Sequence, residues 1–234
     1  MKLSIVIPCY NEEKNLPLIL SRFKEVIKDE SIEVILVNNG STDNSKAALE
    51  NLLPNHNFAR VVEVQVNQGY GYGILQGLKA STGEFIGWTH ADMQTDPQDV
   101  LKAYKLLETH NWNKNIMLKG KRKGRSIFDN IFTICMSLFE TLYLRQKLSD
   151  INAQPNIFHR TFFNEWENPP HDFSLDLYAL YMARIKGLHI IRFQVFFPKR
   201  IHGSSHWNTG IFAKWKFIKR TIQFSVKLKN KGIR

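Results

Sequence analysis

The stretch LSIVIPCYNEE at residues 3–13 decides the fold of this chain. It starts with a short apolar run that is rich in β-branched side chains and is closed by Pro8, a pattern typical of a buried strand. A polar turn follows, and residues 15–28 carry apolar side chains at helical spacing. Strand, polar turn and helix in this order form the repeating unit of a parallel α/β sheet.

The same unit recurs as far as about residue 118. Further strands are predicted at 33–37, 60–66, 84–88 and 116–118, and further helices at 42–53, 71–80 and 97–107. The alternation predicts an α/β fold in which a mostly parallel central sheet has helices on both faces. A basic, glycine-containing stretch at 120–125 predicts a loop.

A long helix is predicted over residues 127–144. At 100° per residue its polar side chains fall within one arc of about 120°, and the wider remaining arc is apolar. Such a helix is either wedged between two layers of the protein or lies in a membrane interface.

Composition and charge restrict the class of protein. The chain has 234 residues, of which 43% are apolar and 23% charged, as expected for one globular domain. The chain has two cysteines, too few for a disulfide framework, which predicts a cytoplasmic protein. We find no apolar run of the ~18–20 residues that a spanning helix needs, so the protein is expected to be soluble or peripheral on the membrane. The net charge is −3 over residues 1–118 (11 basic, 14 acidic) and +14 over 119–234 (21 basic, 7 acidic). The second half therefore favours an anionic partner, namely phosphate, nucleic acid or lipid headgroups.

Polar segments follow the predicted strands at 8–12, 38–43, 67–73 and 89–94. In open α/β sheets ligands bind outside the carboxyl ends of the strands, near the point where the strand order reverses. Four such segments on one rim predict a binding site there.

The segments SIVIPCYNE (4–12), VNNGSTD (37–43), NQG (67–69) and GEFIGWTHADMQ (83–94) resemble those of family 2 glycosyltransferases, which have the Rossmann-like GT-A fold. The last segment is similar to the Asp-Ala-Asp-Leu-Gln stretch of dolichyl- and polyprenyl-phosphate mannose synthases. Residues 198–205, PKRIHGSS, are similar to the Arg-x(2)-Gly-x-Ser near the end of that catalytic domain.

The resemblance implies an inverting transfer of a sugar from a UDP- or GDP-linked donor to a lipid-linked or cell-surface polysaccharide acceptor. A polyprenyl-phosphate glycosyl synthase (mannosyl or glucosyl) is one alternative, and a non-catalytic nucleotide or nucleic-acid binder on the same fold is another. Nucleic acid is the less expected partner, because the chain has no zinc or RNA-recognition signature. The predicted organisation is a GT-A domain over 1–205, with a nucleotide-binding half (1–118) and an acceptor half (119–205), followed by a basic amphipathic segment over 206–234.

The resemblance also implies roles for single residues. The nucleotide sugar would be bound by Pro8, Tyr10, Glu12, Asn39, Asp43, Asn67, Gly69, Gly71 and Lys119. A divalent cation, Mn²⁺ or Mg²⁺, would be held by Asp92, Gln94 and His90, of which the first two supply the oxygen ligands that these ions prefer. The catalytic set would be Asp176, Asp172 and Arg200. Either aspartate would be the base for a hydroxyl acceptor, whereas a phosphate acceptor needs none. Arg200, which lies in the matching motif, would pair with the departing diphosphate, and Lys119, Lys121 and Arg122 are further candidates for the same role.

Two positions depart from the family pattern. Asn39 stands where an aspartate is usual, and His90 replaces the first aspartate of the metal-binding triplet.

The last predicted element is a helix in the C-terminal segment. Residues 211–234 contain eight basic and no acidic side chains. Ile211, Trp215, Ile218, Ile222 and Val226 would share one side of it. This helix either contacts an anionic membrane or packs on the sheet with its basic side in solvent.

Overall fold

The computed structural model describes residues 1–28, 31–198, 200–202 and 211–230. The strands are β1 (Leu3–Cys9), β2 (Ile32–Asn39), β3 (Ala59–Val64), β4 (Phe85–Trp88), β5 (Ile116–Lys123), β6 (Asn156–His159) and β7 (His189–Phe196). The helices are α1 (Leu16–Val26), α2 (Ser45–Leu52), α3 (Tyr70–Ala80), α4 (Pro97–Thr109), α5 (Ile127–Leu144), α6 (Arg160–Asn164), α7 (Leu175–Ile185) and α8 (Ile211–Asn230).

The strands form one sheet in the order β3-β2-β1-β4-β6-β5-β7. β6 is antiparallel to both neighbours, and the other adjacent pairs are parallel. The carboxyl ends of β1, β2, β4, β5 and β7 therefore meet at one edge, together with the amino end of β6. The strand order reverses between β1 and β4, which is where this class of sheet binds ligands.

A hydrophobic core lies on each face of the sheet, as the alternation along β1 requires. Val6 points to the face covered by α3 and α7. Ile5 and Ile7 point to the opposite face, which α1 and α4 cover. The predicted α/β architecture with helices on both faces is confirmed.

One predicted loop is instead a strand. β5 continues through Lys123, because residues 120–123 pair with 193–196 of β7. The sequence did not predict this extension, because its partner strand β7 is distant in sequence. The glycine and the basic side chains of residues 120–123 are also more typical of a loop than of a strand.

Helix α5 turns its polar side to the protein and its apolar side outward, the reverse of an ordinary amphipathic helix. Its polar arc faces the protein, where Ser137 and Glu140 are buried. Its apolar arc is exposed at Ile127, Phe128, Ile131, Ile134, Leu138 and Leu142. The interpretation of a helix wedged between two layers is therefore wrong. Contrary to the expectation from the sequence, α5 is long and apolar enough to cross a membrane, and it is the one such helix in the described part of the chain. Core helices of soluble proteins also meet this criterion of length and composition.

Helix α8 confirms the predicted C-terminal helix but packs through another face. Ser225 and Leu228 are buried, and Phe224 contacts the core beside α7. Trp215 and Val226, on the side predicted to contact a membrane or alternatively to pack on the sheet, are exposed, so the helix does not pack on the core through them. Residues 206–210 and 231–234 lie outside the described residues, so the division at residue 205 stays a prediction, and the division at 118 falls within β5.

Candidate active site

A cavity of about 810 Å³ opens at the edge where the strands end. Its walls come from both halves of the chain. Of the residues predicted for the site, it is lined by Pro8, Tyr10, Glu12, Asn39, Asn67, Gly69, His90, Asp92, Gln94, Asp176 and Arg200. The structure thus brings together eleven predicted residues that lie far apart in the sequence, from Pro8 to Arg200.

The end of the cavity near β1 and β2 is polar and partly buried. Asn39 donates from Nδ2 to the Gly69 carbonyl oxygen at 3.0 Å, and its buried Oδ1 has no partner among the described residues. Burial raises the pKa of the nearby Glu12 carboxyl. An amide acceptor without a partner beside the half-exposed ring of Tyr10 suits a nucleobase, which offers N–H donors and a flat face.

Gly69 lets the start of α3 approach the 170–172 loop. Its φ of 111° lies in the region that favours glycine, and a Cβ there would come within 2.4 Å of the His171 carbonyl oxygen. The next residue, Tyr70, stacks on Phe173 with ring centroids 4.6 Å apart. These contacts bring the first turn of α7 to the cavity.

The predicted metal residues lie on the cavity wall beside Arg200. The Arg200 guanidinium pairs with Asp92 at 2.9 Å and donates from Nε to the Gln94 Oε1 at 3.0 Å. Gln94 also donates to the Pro198 carbonyl oxygen at 3.0 Å, which ties the end of β7 to the segment after β4.

The donor chemistry at this wall fits a cation that is shared with substrate phosphates. Asp92 supplies one carboxylate to the cavity, and Mg²⁺ is usually held by one or two carboxylates with phosphate oxygens and water. Across the described ranges there is no cluster of three or more His, Cys, Asp or Glu that could hold a metal alone.

His90 lies among aromatic rings. Its ring centroid is 6.4 Å from that of Tyr70 and 6.3 Å from that of Phe197. Burial lowers the pKa of His90, so the neutral imidazole is favoured. A neutral ring can accept a ligand hydrogen bond or bind a cation through nitrogen.

Asp176 is buried in the first turn of α7. Its Oδ1 accepts hydrogen bonds from Asn156 Nδ2 at 2.9 Å, Trp88 Nε1 at 3.2 Å and Gln154 Nε2 at 3.4 Å. Burial raises the pKa of the Asp176 carboxyl, and the positive charge of Lys119 is the largest opposing influence.

Two arginines form the far wall of the cavity, Arg122 near the end of β5 and Arg125 just after it. The guanidinium groups of Arg122 and Arg125 lie 5.5 and 5.9 Å from the ring centroid of Phe197. Asp150 accepts from Arg122 Nε at 2.8 Å, whereas Arg125 bonds the Thr133 hydroxyl at 2.7 Å. Burial lowers the pKa of Arg125, with Arg122 as the next cause, which reflects two adjacent cations. The sequence named Arg122 as a candidate for the diphosphate but not Arg125, because basic residues in a run such as KGKRKGR (119–125) are usually solvated.

Four residues predicted for the site do not line this cavity. Asp43 accepts from the backbone N–H of Ser45 at 3.0 Å and so serves the start of α2. Gly71 packs on the backbone of residues 170–172. Asp172 pairs with Arg220 at 3.4 Å and lines a second cavity.

The fourth, Lys119, is fully buried, and its ammonium group donates to the Ala153 carbonyl oxygen and to Asn156. The structure corrects its placement at the diphosphate, because strand alternation points it into the core. Gly203 and Ser205 of the last motif lie outside the described residues.

Strand order, the site at the reversal point and the polar rim define an α/β protein of the GT-A type. The model of the family described as "Glycosyl transferase family 2" matches residues 4–166, which is more than half of the chain. The chain belongs to this family.

Curated relatives match part of the chain. One is the undecaprenyl-phosphate 4-deoxy-4-formamido-L-arabinose transferase of Proteus mirabilis, 37% identical over 106 residues, which are 42% of this chain and 31% of the relative. The transferase of the same name from Yersinia pestis is 32% identical over 137 residues, 54% of this chain and 42% of the relative. The aligned region is thus less than half of the length of these relatives.

Solved structures share the fold at low identity. Glucosyl-3-phosphoglycerate synthase from Mycobacterium tuberculosis, solved with Mn²⁺, UDP-glucose and phosphoglyceric acid, has a TM-score of 0.69 and 17% identity, covering 96% of this chain and 79% of that one. A mannosyltransferase from Pyrobaculum calidifontis with GDP-mannose and Mn²⁺ has a TM-score of 0.64 and 18% identity, covering 86% and 58%.

Proposed function

We propose that this protein transfers a sugar, with inversion, from a UDP- or GDP-linked donor to a polyprenyl phosphate at the cytoplasmic face of a membrane. One observation carries the proposal. A single cavity joins the nucleotide-type rim after β1 and β2 to two arginines and to the inner side of an apolar helix. The family and the lipid-phosphate acceptor in the names of the relatives support the same reaction.

The donor would lie with its nucleoside against Tyr10, Glu12 and Asn39. Its diphosphate would reach Asp92 and Arg200. A Mn²⁺ or Mg²⁺ held by Asp92, with Gln94 and His90 at the same wall, would neutralise charge on the diphosphate. Arg200 adds a fixed positive charge beside the departing nucleotide, where negative charge grows in the transition state.

The acceptor phosphate would lie against Arg122 and Arg125. Two cations within reach of one cavity suit a phosphate monoester, whose oxygens pair with guanidinium groups. Phe132 and Met136 of α5 line the same cavity and would contact the first isoprene units. Because a phosphate acceptor is already ionised, Asp176 would orient the donor sugar and would not serve as a base.

Helix α5 would rest in the membrane interface. Its outward apolar side chains have no cover within the described residues, with Phe128 84% and Ile127 75% exposed. Lys227 and Lys229 of α8 are exposed, and Lys229 lies over the Tyr143 ring of α5 at 4.3 Å. Each such lysine near an anionic leaflet contributes about 1 kcal/mol. Lys231 and Arg234, which were predicted to contribute to the same membrane contact, lie outside the described residues.

The reaction is tested by release of nucleoside diphosphate from UDP- and GDP-linked sugars with Mn²⁺. We expect release that depends on undecaprenyl phosphate, and loss of more than about 100-fold in Asp92→Asn and in Arg125→Met. The exposed Arg145→Met is the matched control. If neither donor class raises the melting temperature and no acceptor releases nucleotide, the proposed function is wrong.

Membrane contact is tested by sedimentation with phosphatidylglycerol and phosphatidylcholine vesicles. We expect binding to the anionic vesicles at low salt, weakened by high salt, by truncation after Gly210 and by Leu138→Glu. The same change at Leu18, an exposed leucine on the opposite face of the sheet, should have no effect. Protein that stays in the supernatant with both lipids would contradict this part of the proposal.

A further inference from the structure

Four side chains stand in register across the sheet next to α7. Trp88 of β4 pairs with Asn156 of β6, Asn156 pairs with Lys119 of β5, and Lys119 pairs with Arg192 of β7. Directly paired residues on neighbouring strands project to the same face. The register therefore sets an indole, an amide and an ammonium group side by side next to Asp176, which lies in the first turn of α7.

Asn156 connects the two buried charges in this row. Lys119 is fully buried, and its Nζ donates to Asn156 Oδ1 at 2.5 Å and to the Ala153 carbonyl oxygen at 2.8 Å. Asn156 then donates from Nδ2 to Asp176 Oδ1 at 2.9 Å. A carboxylate and an ammonium group are thus joined through one amide.

Each charge offsets part of the other's cost of burial. Burial raises the pKa of Asp176, and Lys119 opposes that change most. Burial lowers the pKa of Lys119 to about 7, and Asp176 opposes it most. Other ionisable groups that interact with the pair are Tyr70, His90, Arg122, Asp150 and Arg192. Without Lys119 the buried carboxyl would stay protonated to higher pH.

We propose that Lys119 and Asn156 are positioning residues that keep the Asp176 carboxylate ionised, with Oδ1 held by the protein and Oδ2 available to a sugar hydroxyl. The three hydrogen bonds that Asp176 accepts from described residues all end on Oδ1. Asp176 nevertheless lines the cavity, so its second oxygen is the atom that a ligand can reach. The geometry of Lys119, Asn156 and Asp176 does not depend on the proposed function. Only the identification of the ligand as a sugar rests on the proposed glycosyl transfer.

The test is a ¹³C NMR titration of the aspartate carboxyl carbons in the full chain, with the Asp176 signal assigned from Asp176→Asn. Lys119→Met is expected to raise the titration midpoint of Asp176 by about one pH unit or more, because an opposite charge is removed. Lys123→Met, at an exposed lysine of the same strand, should leave it unchanged. If Lys119→Met does not fold, Asn156→Leu gives the same test and is expected to raise the midpoint too.

An unchanged midpoint in a folded variant would overturn the inference. In nucleotide-release assays, the pH below which kcat declines should rise together with the NMR midpoint of Asp176. Below that midpoint kcat should fall about tenfold for each pH unit. A shifted midpoint in a protein that transfers no sugar would support the positioning role of Lys119 and Asn156 and would refute the proposed function instead.

Discussion

Glu140 should make the protein less stable as the pH rises from about 4.5 to about 7. The side chain is fully buried between α5 and α8. Its Oε2 accepts from the Ser225 hydroxyl at 2.6 Å, while its Oε1 has no partner among the described residues. Burial raises the pKa of the Glu140 carboxyl to about 7.

The size of the stability loss follows from the difference between the pKa of Glu140 in the folded chain and its pKa in the unfolded chain. In the unfolded chain this glutamate titrates near its ordinary pKa of 4.5, so from there up to about 7 the unfolded chain loses the proton while the folded chain keeps it. Folded stability therefore falls with rising pH across this window and levels off above about 7. At ~1.4 kcal/mol per pH unit, over a difference of about 2.5 units, the full loss is about 3.5 kcal/mol.

Glu140→Gln removes the titration and keeps an acceptor for the Ser225 hydroxyl. Urea unfolding should show a gain of about 3 kcal/mol over the wild type at pH 8, close to the full loss, and little difference near pH 4.5. Glu108→Gln, an exposed glutamate on α4, is the matched control and should differ little at either pH. A gain of equal size at both pH values would refute the reasoning, because it would not come from ionisation.

Three further changes test other parts of the structure. Gly87→Ala would place a Cβ 2.0 Å from the Asn156 carbonyl oxygen, and a loss of more than about 2 kcal/mol in urea unfolding is expected. His90→Asp restores the family triplet and should keep measurable nucleotide release, whereas a folded and metal-binding but inactive variant would show that the imidazole has its own role. Asp172→Asn should leave release within about twofold, because this carboxyl lines the second cavity.

The first half of the fold could be predicted because its signals are local. The apolar run before Pro8 and the glycines after β3 mark strand ends and helix starts within a few residues of sequence. The carboxyl ends of parallel strands then meet by topology alone, which brings Asp92 and Asn39 to one cavity without any knowledge of packing.

The second half could not be predicted in the same way, because its signals depend on partners that are distant in sequence. β5 extends to Lys123 only because β7 pairs with it. Lys119 is a structural cation because β6 places Asn156 opposite it. One signal was available in the sequence: Lys119 follows the apolar run at 116–118 and shares its face with Met117, which is unusual for a solvated lysine.

The reversed polarity of α5 connects the cavity to its proposed acceptor. A helix that packs on its own protein through polar side chains must find other cover for its apolar arc, or leave it in water at a cost of roughly 25 cal/mol per Å². The inner arc is used, because Asp129 and Thr133 line the cavity beside Arg125. If the outer arc lies in the bilayer interface, the arginine wall stands within one helix diameter, about 10–12 Å, of the lipid headgroups. A phosphate on a lipid that cannot leave the membrane could then reach Arg125, whereas a soluble acceptor would give the apolar arc no partner.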